Sequence, residues 1–553
     1  WRAAYNITCD LLLKLALTHS GDHWQVIRDN IWDAGGFDTI LDGLRCHSQP
    51  NSKDSIWGQV PPSGGTSALK SLLVGKNVAK YIREPSDTVS TIIDVLKNWP
   101  QDGKIQRDGM RSLLPMCQDL GFCILVGTST DLFEVIMNAM RSHPNDLLVN
   151  CSCAQVLDRL SKEHTNCLAE MTDLGIVDLL LSSIENDELY IETHGVPKTM
   201  GNATKACFQQ NIWAVLTRLA CFRFENMVSI AESNAPETII RWMKEGTHTT
   251  GCSSLATFCF LDPNLSQRVA NANAIQVIAG SMECFLQDSK LQCNGCTALS
   301  NIARNLTENK SLLCRAVKTI LRSMEEHLLE AQIQISGCAA LANICSNDNA
   351  LKRLVRKSGG VQAIVKAIGT HVGKVQVQYN GLVALKNVCS GNREATQIFV
   401  VTGGVGLVIS AMSKFPLNEK IQLAGCNLFQ KLRKDENFMA SLVANGGIRR
   451  IMKALKGWQQ SPDLVRIGLK LLVTLLNCES KKVVTEMEKL GTNKRIKTTL
   501  KTHLESGTQQ DPEEVPHAPL DSKGTKKEGG EEKEEDVKEE VTPSATNNFA
   551  DID

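Results

Sequence analysis

Cysteine and histidine are the residues of this sequence that could most directly perform chemistry. A Cys-x-x-Cys pair begins at Cys293 and a Cys-x-Cys pair at Cys151. A structural zinc site needs four ligands, and no second CxxC or HxxxH pair accompanies either of them. His164 and Cys167 stand three residues apart, as a base and a nucleophile could, but no third group is indicated. The sequence also has no phosphate-binding loop, GxSxG or HExxH motif. We therefore predict no enzymatic activity, no cofactor and no metal.

A second candidate chemistry comes from asparagines that recur at regular spacing. Asn301, Asn343 and Asn387 stand 42 and 44 residues apart. An amide side chain can both donate to and accept from a peptide unit. Lys431 occupies the next equivalent place and Lys386 precedes Asn387, so such a row would suit a polar or mildly acidic extended partner. The competing interpretation is that each Asn satisfies a local carbonyl or caps a helix end, since a loop follows each one.

The segments that carry these asparagines repeat along the chain. Each reads Gln-x-x-Gly, with apolar residues one, four and seven positions after the glycine. The four glycines are Gly295, Gly337, Gly381 and Gly425, which are separated by 42, 44 and 44 residues. The apolar spacing predicts one stripe of a long helix. Glycine costs roughly 1 kcal/mol inside a helix, so its recurrence indicates that another helix crosses there too closely for a Cβ.

A second recurrent feature is a pair of glycines ahead of another apolar helix. These pairs begin at Gly359, Gly403 and Gly446, and a short helical segment precedes each of them. A glycine pair ends one helix and lets the chain turn sharply into the next. The repeating unit is therefore predicted to be a short helix, a Gly turn, a middle helix, a loop and a long helix.

This three-helix unit resembles the armadillo repeat, most closely in the four units around Gly295 to Gly425. Weaker units extend the pattern both ways to about nine to eleven, with an insertion at 185–205. The resemblance implies an all-α fold, a right-handed α-solenoid of three-helix repeats. It also implies that the long-helix Asn faces a concave groove and holds the backbone of a bound peptide. In the nuclear-import branch of the family a Trp stands four residues before that Asn. Here those places hold Thr297, Ala339 and Val383, so an import receptor is not indicated.

Composition divides the chain into five segments. We assign 1–45 to a degenerate N-terminal helical repeat, 46–66 to a loop, 67–250 to degenerate armadillo-like repeats, and 251–505 to well-formed repeats with a C-terminal cap. Residues 506–553 form a Glu- and Lys-rich acidic tail of 14 acidic residues and 5 lysines. With almost no apolar residues to bury, this tail is predicted to be disordered.

Charge and cysteine usage limit the environment and the partners. The net charge of +0 leaves only about +9 outside the tail, without a clustered basic stripe, so nucleic acid is not an expected partner. No run of about 18 apolar residues indicates a membrane span. Most of the 20 cysteines lie on apolar helix faces, where a free cysteine acts as a small hydrophobe. This usage favours a reduced compartment, the cytoplasm, with the nucleus as the alternative.

These observations together predict a non-enzymatic scaffold. It would bind an extended segment or a helix of a protein partner in its concave groove, through Asn301, Asn343, Asn387, Lys386 and Lys431. Two alternatives stay open. The array could regulate a small GTPase or a kinase, or the chain could be a regulatory fragment of a larger multidomain enzyme.

Overall fold

The computed structural model describes residues 22–48, 62–73, 82–194, 202–476 and 481–490, except 119, 130, 164, 307, 309 and 347, and a few positions between 9 and 15. All regular structure in these residues is helical. The chain divides into a compact unit, 1–496, and a second unit, 497–553, that lies wholly outside the described residues. The predicted acidic tail, 506–553, and residues 49–61 of the predicted loop therefore also lie outside them.

The helices follow one another in groups of a short first helix, a middle helix and a third helix. In chain order they are α1 Asp22–Asp33, α2 Gly36–Ser48, α3 Ser63–Leu73, α4 Pro85–Asn98, α5 Gly103–Met116, α6 Leu120–Gly127, α7 Leu132–Ser142, α8 Leu147–Glu163, α9 Thr165–Asp173, α10 Ile176–His194, α11 Asn202–Phe222, α12 Phe224–Glu232, α13 Ala235–Glu245, α14 His248–Leu261, α15 Asn264–Asn271, α16 Ala274–Cys284, α17 Ser289–Asn305, α18 Leu313–Glu326, α19 Ala331–Ile344, α20 Asn349–Lys357, α21 Gly360–Thr370, α22 Val375–Cys389, α23 Arg393–Val401, α24 Gly404–Lys414, α25 Glu419–Leu432, α26 Glu436–Ala444, α27 Gly447–Gly457, α28 Pro462–Leu476 and α29 Lys481–Lys489. A short 3-10 helix, Lys310–Leu312, replaces the first helix of one unit.

The third helices form a continuous row. They are α3, α5, α8, α11, α14, α17, α19, α22, α25 and α28, and each packs against the next. Their side chains two positions before the repeated glycine, and two and six after it, are only partly buried, as at Tyr379, Val383 and Asn387. We call this side of the row the third-helix face. It is where the sequence places the recurring asparagines.

The repeated glycines mark the crossing of the middle helix over the third helix. A Cβ built on Gly337 would lie 2.5 Å from Cγ of Met324, and one on Gly381 would lie 2.6 Å from Cγ1 of Ile368. Real Cβ atoms do not approach so closely, so only glycine lets the two helices pack at this distance. The close crossing predicted from the sequence is confirmed.

A glutamine stands three residues before each repeated glycine, and its side chain forms hydrogen bonds with the end of the same middle helix. Nε2 of Gln334 donates to the carbonyl of Met324 at 2.8 Å and to that of His327 at 2.9 Å. Both carbonyls end the middle helix, where the helix itself supplies no donors. Gln106, Gln292, Gln378 and Gln422 make the same pair of bonds in their units.

The turn into each middle helix needs a left-handed backbone. Gly359, Gly403 and Gly446 have φ of 81°, 75° and 73° there. Asn273 and Asp131 take the same place in two other units, with φ of 67° and 72°. These are residue types that enter this region most readily after glycine. The glycine turns predicted from the sequence are therefore present, and two units use a substitute.

In several units a side chain with a ring follows the middle helix. Some of these rings form a hydrogen bond with the preceding unit. Nε2 of His327 lies 2.6 Å from the carbonyl oxygen of Leu286, and Nε2 of His371 lies 2.8 Å from that of Leu328. His143 makes the same contact, and in the last complete unit the indole of Trp458 replaces the imidazole. Because a carbonyl can only accept, the ring nitrogen donates in each pair. The rings thus connect consecutive units.

The N-terminal units depart from the regular repeat. The insertion expected at 185–205 is in part helical, since the middle helix α10 continues to His194, and residues 195–201 lie outside the described residues. Within the predicted loop 46–66, residues 46–48 end α2 and residues 63–66 begin α3.

No single helix among the described residues is long and apolar enough to span a membrane. Only the pair α23 and α24, bent by 68°, reaches that length and composition together.

Candidate functional site

The three repeated asparagines hydrogen-bond across the boundaries between units. Nδ2 of Asn301 donates to the carbonyl of Ala256 at 2.8 Å, and Nδ2 of Asn387 donates to that of Ala342 at 2.8 Å. Asn343 donates to the carbonyl of Ser300 at 3.0 Å. Each acceptor lies on the third helix of the preceding unit. The amide N–H groups therefore satisfy carbonyls of a neighbouring helix, rather than capping their own.

The same geometry leaves acceptor atoms on the third-helix face. All three asparagines are half-buried. Within the described residues, Oδ1 of Asn343 and Oδ1 of Asn387 accept no hydrogen bond, whereas Oδ1 of Asn301 receives only a long 3.4 Å contact from Arg304. These oxygens could accept from the N–H groups of a bound backbone. The structure brings the predicted asparagines into one row and gives each a second, structural contact.

Joint replacement of Asn301, Asn343 and Asn387 by alanine will lower the stability of the array. Each lost bond to a neighbouring carbonyl contributes roughly 0.5–1.5 kcal/mol, so we expect a loss of about 2–4 kcal/mol in the free energy of unfolding. Urea unfolding followed by circular dichroism measures this loss. Asn427→Ala is the control, because the Asn427 side chain makes no hydrogen bond to any other described residue. A triple variant as stable as the control would exclude this role.

Lys386, one of the two predicted lysines, lines a groove between α22 and α25. Tyr379, Val383 and Lys386 line it from α22 and Lys420, Leu423, Ala424 and Asn427 from α25, around a volume of about 180 Å³. A shallower extension of about 400 Å³ continues from Tyr379 and Lys420 past Val375, Gln376, Leu417, Asn418 and Glu419. Lys431 is exposed on α25 beyond the groove.

Lys386 is half-buried in this groove, and its surroundings shift the pKa of its side chain. Burial, and next the positive charge of Lys431, lower the pKa of its ammonium group. In the described part of the chain, no carboxylate forms an ion pair with Lys386, Lys420 or Lys431. A half-buried ammonium without a counter-ion is stabilised by any anion that enters the groove.

Two kinds of recurring structural contact were not predicted from the sequence. The glutamines three residues before the glycines were seen as part of the repeat, but their clasp on the middle helix was not predicted. The rings ten residues before the glycines were missed. A periodic signal was present, because Trp99, His143, Phe285, His327, His371, Phe415 and Trp458 all occupy that place.

The cysteine pairs considered for zinc lie within the helix packing. Cys296 is fully buried in α17, and Sγ of Cys293 lies 3.7 Å from the hydroxyl of Ser336. Cys167 is buried, with Sγ 3.9 Å from the carbonyl of Gly127, and its proposed partner His164 lies outside the described residues. In the described residues no three His, Cys, Asp or Glu side chains are grouped so as to hold a metal ion.

Comparison with known proteins bears on the fold. A sequence model of one family, described as "LRRK2 ARM repeat", matches residues 316–509. No curated protein sequence matches the chain. The fold is similar to that of an engineered protein, with a TM-score of 0.58 and 18% identity over 79% of this chain and 98% of that chain.

The fold is also similar to that of a chain from a structure described as "A conserved phosphorylation switch controls the interaction between cadherin and beta-catenin in vitro and in vivo". Its TM-score is 0.61, with 13% identity over 79% of this chain and 81% of that chain. A designed armadillo repeat protein also matches, with a TM-score of 0.37 and 16% identity over 43% of this chain and 98% of that chain.

The repeat unit and the row of third helices agree with the two fold likenesses whose TM-scores are 0.58 and 0.61. Short first helices, glycine turns and third helices that stack on one another recur with the period read from the sequence. The chain therefore has the fold of an α-solenoid built from three-helix repeats of the armadillo type, and its residues 316–509 are similar to that family's sequence model.

Proposed function

We propose that the protein is a non-enzymatic scaffold whose third-helix face binds an extended acidic segment of a protein partner. The observation that carries this proposal is the half-buried Lys386, which lies in a groove without a carboxylate partner among the described residues. The likeness to a chain from a structure of the cadherin and beta-catenin interaction supports protein binding as the general role.

The lining of the groove defines the chemistry of the partner. Lys386, Lys420 and Lys431 would pair with acidic side chains. Val383 and Leu423 offer apolar surface between them. Successive side chains of an extended strand point to opposite sides, so a segment that alternates acidic and apolar residues would present one kind to the lysines and the other to the floor.

The asparagine row would fix the backbone of such a segment. Oδ1 of Asn343 and of Asn387 could accept from peptide N–H groups without breaking the bonds between units. The partner would then run along the row of third helices. The regulatory roles considered from the sequence, for a small GTPase, a kinase or a larger enzyme, remain predictions.

A displayed library of random peptides, selected on the full-length chain, tests the partner class. We expect enrichment of sequences in which Asp or Glu alternates with apolar residues. With one selected peptide, calorimetry should show a roughly tenfold weaker Kd for the double variant Lys386→Glu, Lys420→Glu, which corresponds to about 1.4 kcal/mol.

The matched control is the double variant Lys318→Glu, Lys453→Glu. Both residues are exposed lysines on middle helices, so the change in net charge is the same while the groove is untouched. Selection of basic peptides, or equal weakening by the two double variants, would overturn the proposal.

A further inference from the structure

Three side chains on two neighbouring third helices surround the sulfur atom of Cys207. Cys151 and Gln155 are one turn apart on α8, and they face Cys207 and Asn211, one turn apart on α11. Nε2 of Gln155 lies 3.2 Å from Sγ of Cys207, and Nδ2 of Asn211 lies 3.4 Å from the same atom. Two amide donors therefore point at a single cysteine.

The charge distribution around Cys207 favours its thiolate. The hydrogen bond from the Cys151 thiol, the amides of Asn211 and Gln155, and the positive charge of Arg111 lower the pKa of Cys207 below its usual range, and they outweigh the opposite effect of burial. Arg111 belongs to α5, the third helix of the preceding unit, so three consecutive units contribute. The interaction with Cys207 also raises the pKa of Cys151, which keeps this second thiol protonated.

Most other cysteines have the opposite environment. Burial raises the pKa of Cys338 and of Cys426 to about 12, because no donor compensates for the lost water. Cys207 is instead half-buried, so part of its surface is open to solvent. A stabilised, accessible thiolate with a second thiol beside it is the arrangement that reacts with electrophiles.

We propose that Cys207 is a modification site at which hydroperoxides oxidise the protein, and that Cys151 resolves the product into a disulfide. In the first step the Cys207 thiolate attacks hydrogen peroxide, the O–O bond breaks, and sulfenic acid and hydroxide form. In the second step the Cys151 sulfur attacks the sulfenic sulfur, its proton leaves with the departing oxygen as water, and the S–S bond joins α8 to α11. The peroxide is reduced by two electrons and the two thiols supply them.

The first test measures the reactivity of the Cys207 thiolate without the oxidation and disulfide steps. The full-length chain is treated with limiting iodoacetamide at pH 6, and alkylation at each cysteine is followed by mass spectrometry. Cys284 and Cys314 are internal comparators, since both are exposed and access favours them. We expect Cys207 to react roughly tenfold faster than either, because its larger thiolate fraction at pH 6 outweighs the lower nucleophilicity of a less basic thiolate.

The variants Gln155→Leu and Asn211→Leu should slow alkylation of Cys207 severalfold while leaving Cys314 unchanged in the same molecules. The rate at Cys314 and the thermal midpoint show whether each variant is folded. A Cys207 that reacts no faster than Cys314 in the unmodified chain would overturn the proposal at once.

The second test uses hydrogen peroxide. We expect a peptide pair linked through Cys151 and Cys207 in the unmodified chain. In the variant Cys151→Ser, we expect a sulfenic acid at Cys207 that dimedone traps. If peroxide leaves Cys207 unmodified, or if the trapped acid is as abundant in the unmodified chain as in the variant, the proposed reaction is wrong.

Discussion

Replacement of Gly337 by leucine will destabilise the array more than any exposed substitution. The Cβ alone would lie 2.5 Å from Cγ and 2.7 Å from Sδ of Met324, and neither atom is the free end of that side chain. The middle helix α18 and the third helix α19 must therefore separate. Overpacking of this kind costs about 1–3 kcal/mol, and we expect a value at the upper end. The urea midpoint followed by circular dichroism measures the effect.

Gly457→Ala is the matched control for this substitution. Gly457 ends the helix α27, and a Cβ built on it meets nothing within 4 Å. Alanine should be neutral there, or stabilising by about 0.4–1 kcal/mol, because it restricts the unfolded chain. A second check is Met324→Ala in the Gly337→Leu background, which should cost less than in the unmodified chain, since the two side chains compete for one space. Equal midpoints for Gly337→Leu and the control would show that the helices do not cross there.

Replacement of Gln334 by leucine will also be strongly destabilising, for a different reason. The leucine fills similar space but leaves the carbonyl of Met324 without a donor, while the carbonyl of His327 keeps only its bond from the N–H of Glu330. A buried acceptor left unsatisfied costs about 1–3 kcal/mol and a lost hydrogen bond about 0.5–1.5 kcal/mol, so we expect a loss of about 2–4 kcal/mol in the free energy of unfolding. Gln332→Leu, an exposed change on the same helix, is the control and should be near neutral.

The destabilisation caused by replacing one of these glutamines should depend on whether its Oε1 atom has a hydrogen-bond partner. Oε1 of Gln334 is buried without a partner among the described residues, so leucine removes an unsatisfied atom as well as two bonds. Oε1 of Gln422 instead accepts from Nη2 of the buried Arg450 at 2.9 Å. Gln422→Leu would leave that guanidinium unpaired, and we expect a larger loss than for Gln334→Leu. The reverse order would contradict this account of the clasp.

The sequence predicted the repeat because both its signals are local. The apolar stripe around Gly337 predicts a helix face, and the glycine pair at Gly359 predicts a turn. Neither signal depends on distant residues. The same spacing puts the asparagine row at one position of the third helices, and its role in partner binding stays a prediction. Its contacts were not predictable, because Asn301 and Asn387 donate to carbonyls of residues 45 positions earlier, and a backbone acceptor leaves no trace in the sequence.

The thiol cluster was missed for a related reason. The sequence pairs Cys151 with Cys153, as a candidate for zinc, because the two are near neighbours in the chain. In the structure Cys151 instead meets Cys207, across the irregular insertion that lengthens α10. Adjacent residues on a helix point apart, and the contacts between two stacked helices depend on how those helices pack, which short spacings in the sequence do not show.

The rings that follow the middle helices have a consequence for how such a chain can change. The residues that accept their hydrogen bonds are Pro100, Leu286, Leu328 and Pro416, and each accepts through its backbone carbonyl, not through its side chain. Every residue type carries the same carbonyl, so a mutation at an accepting position leaves the contact intact. This contact therefore needs no compensating mutation in the neighbour when a unit is duplicated, deleted or exchanged, and it can persist while the sequences of the units diverge.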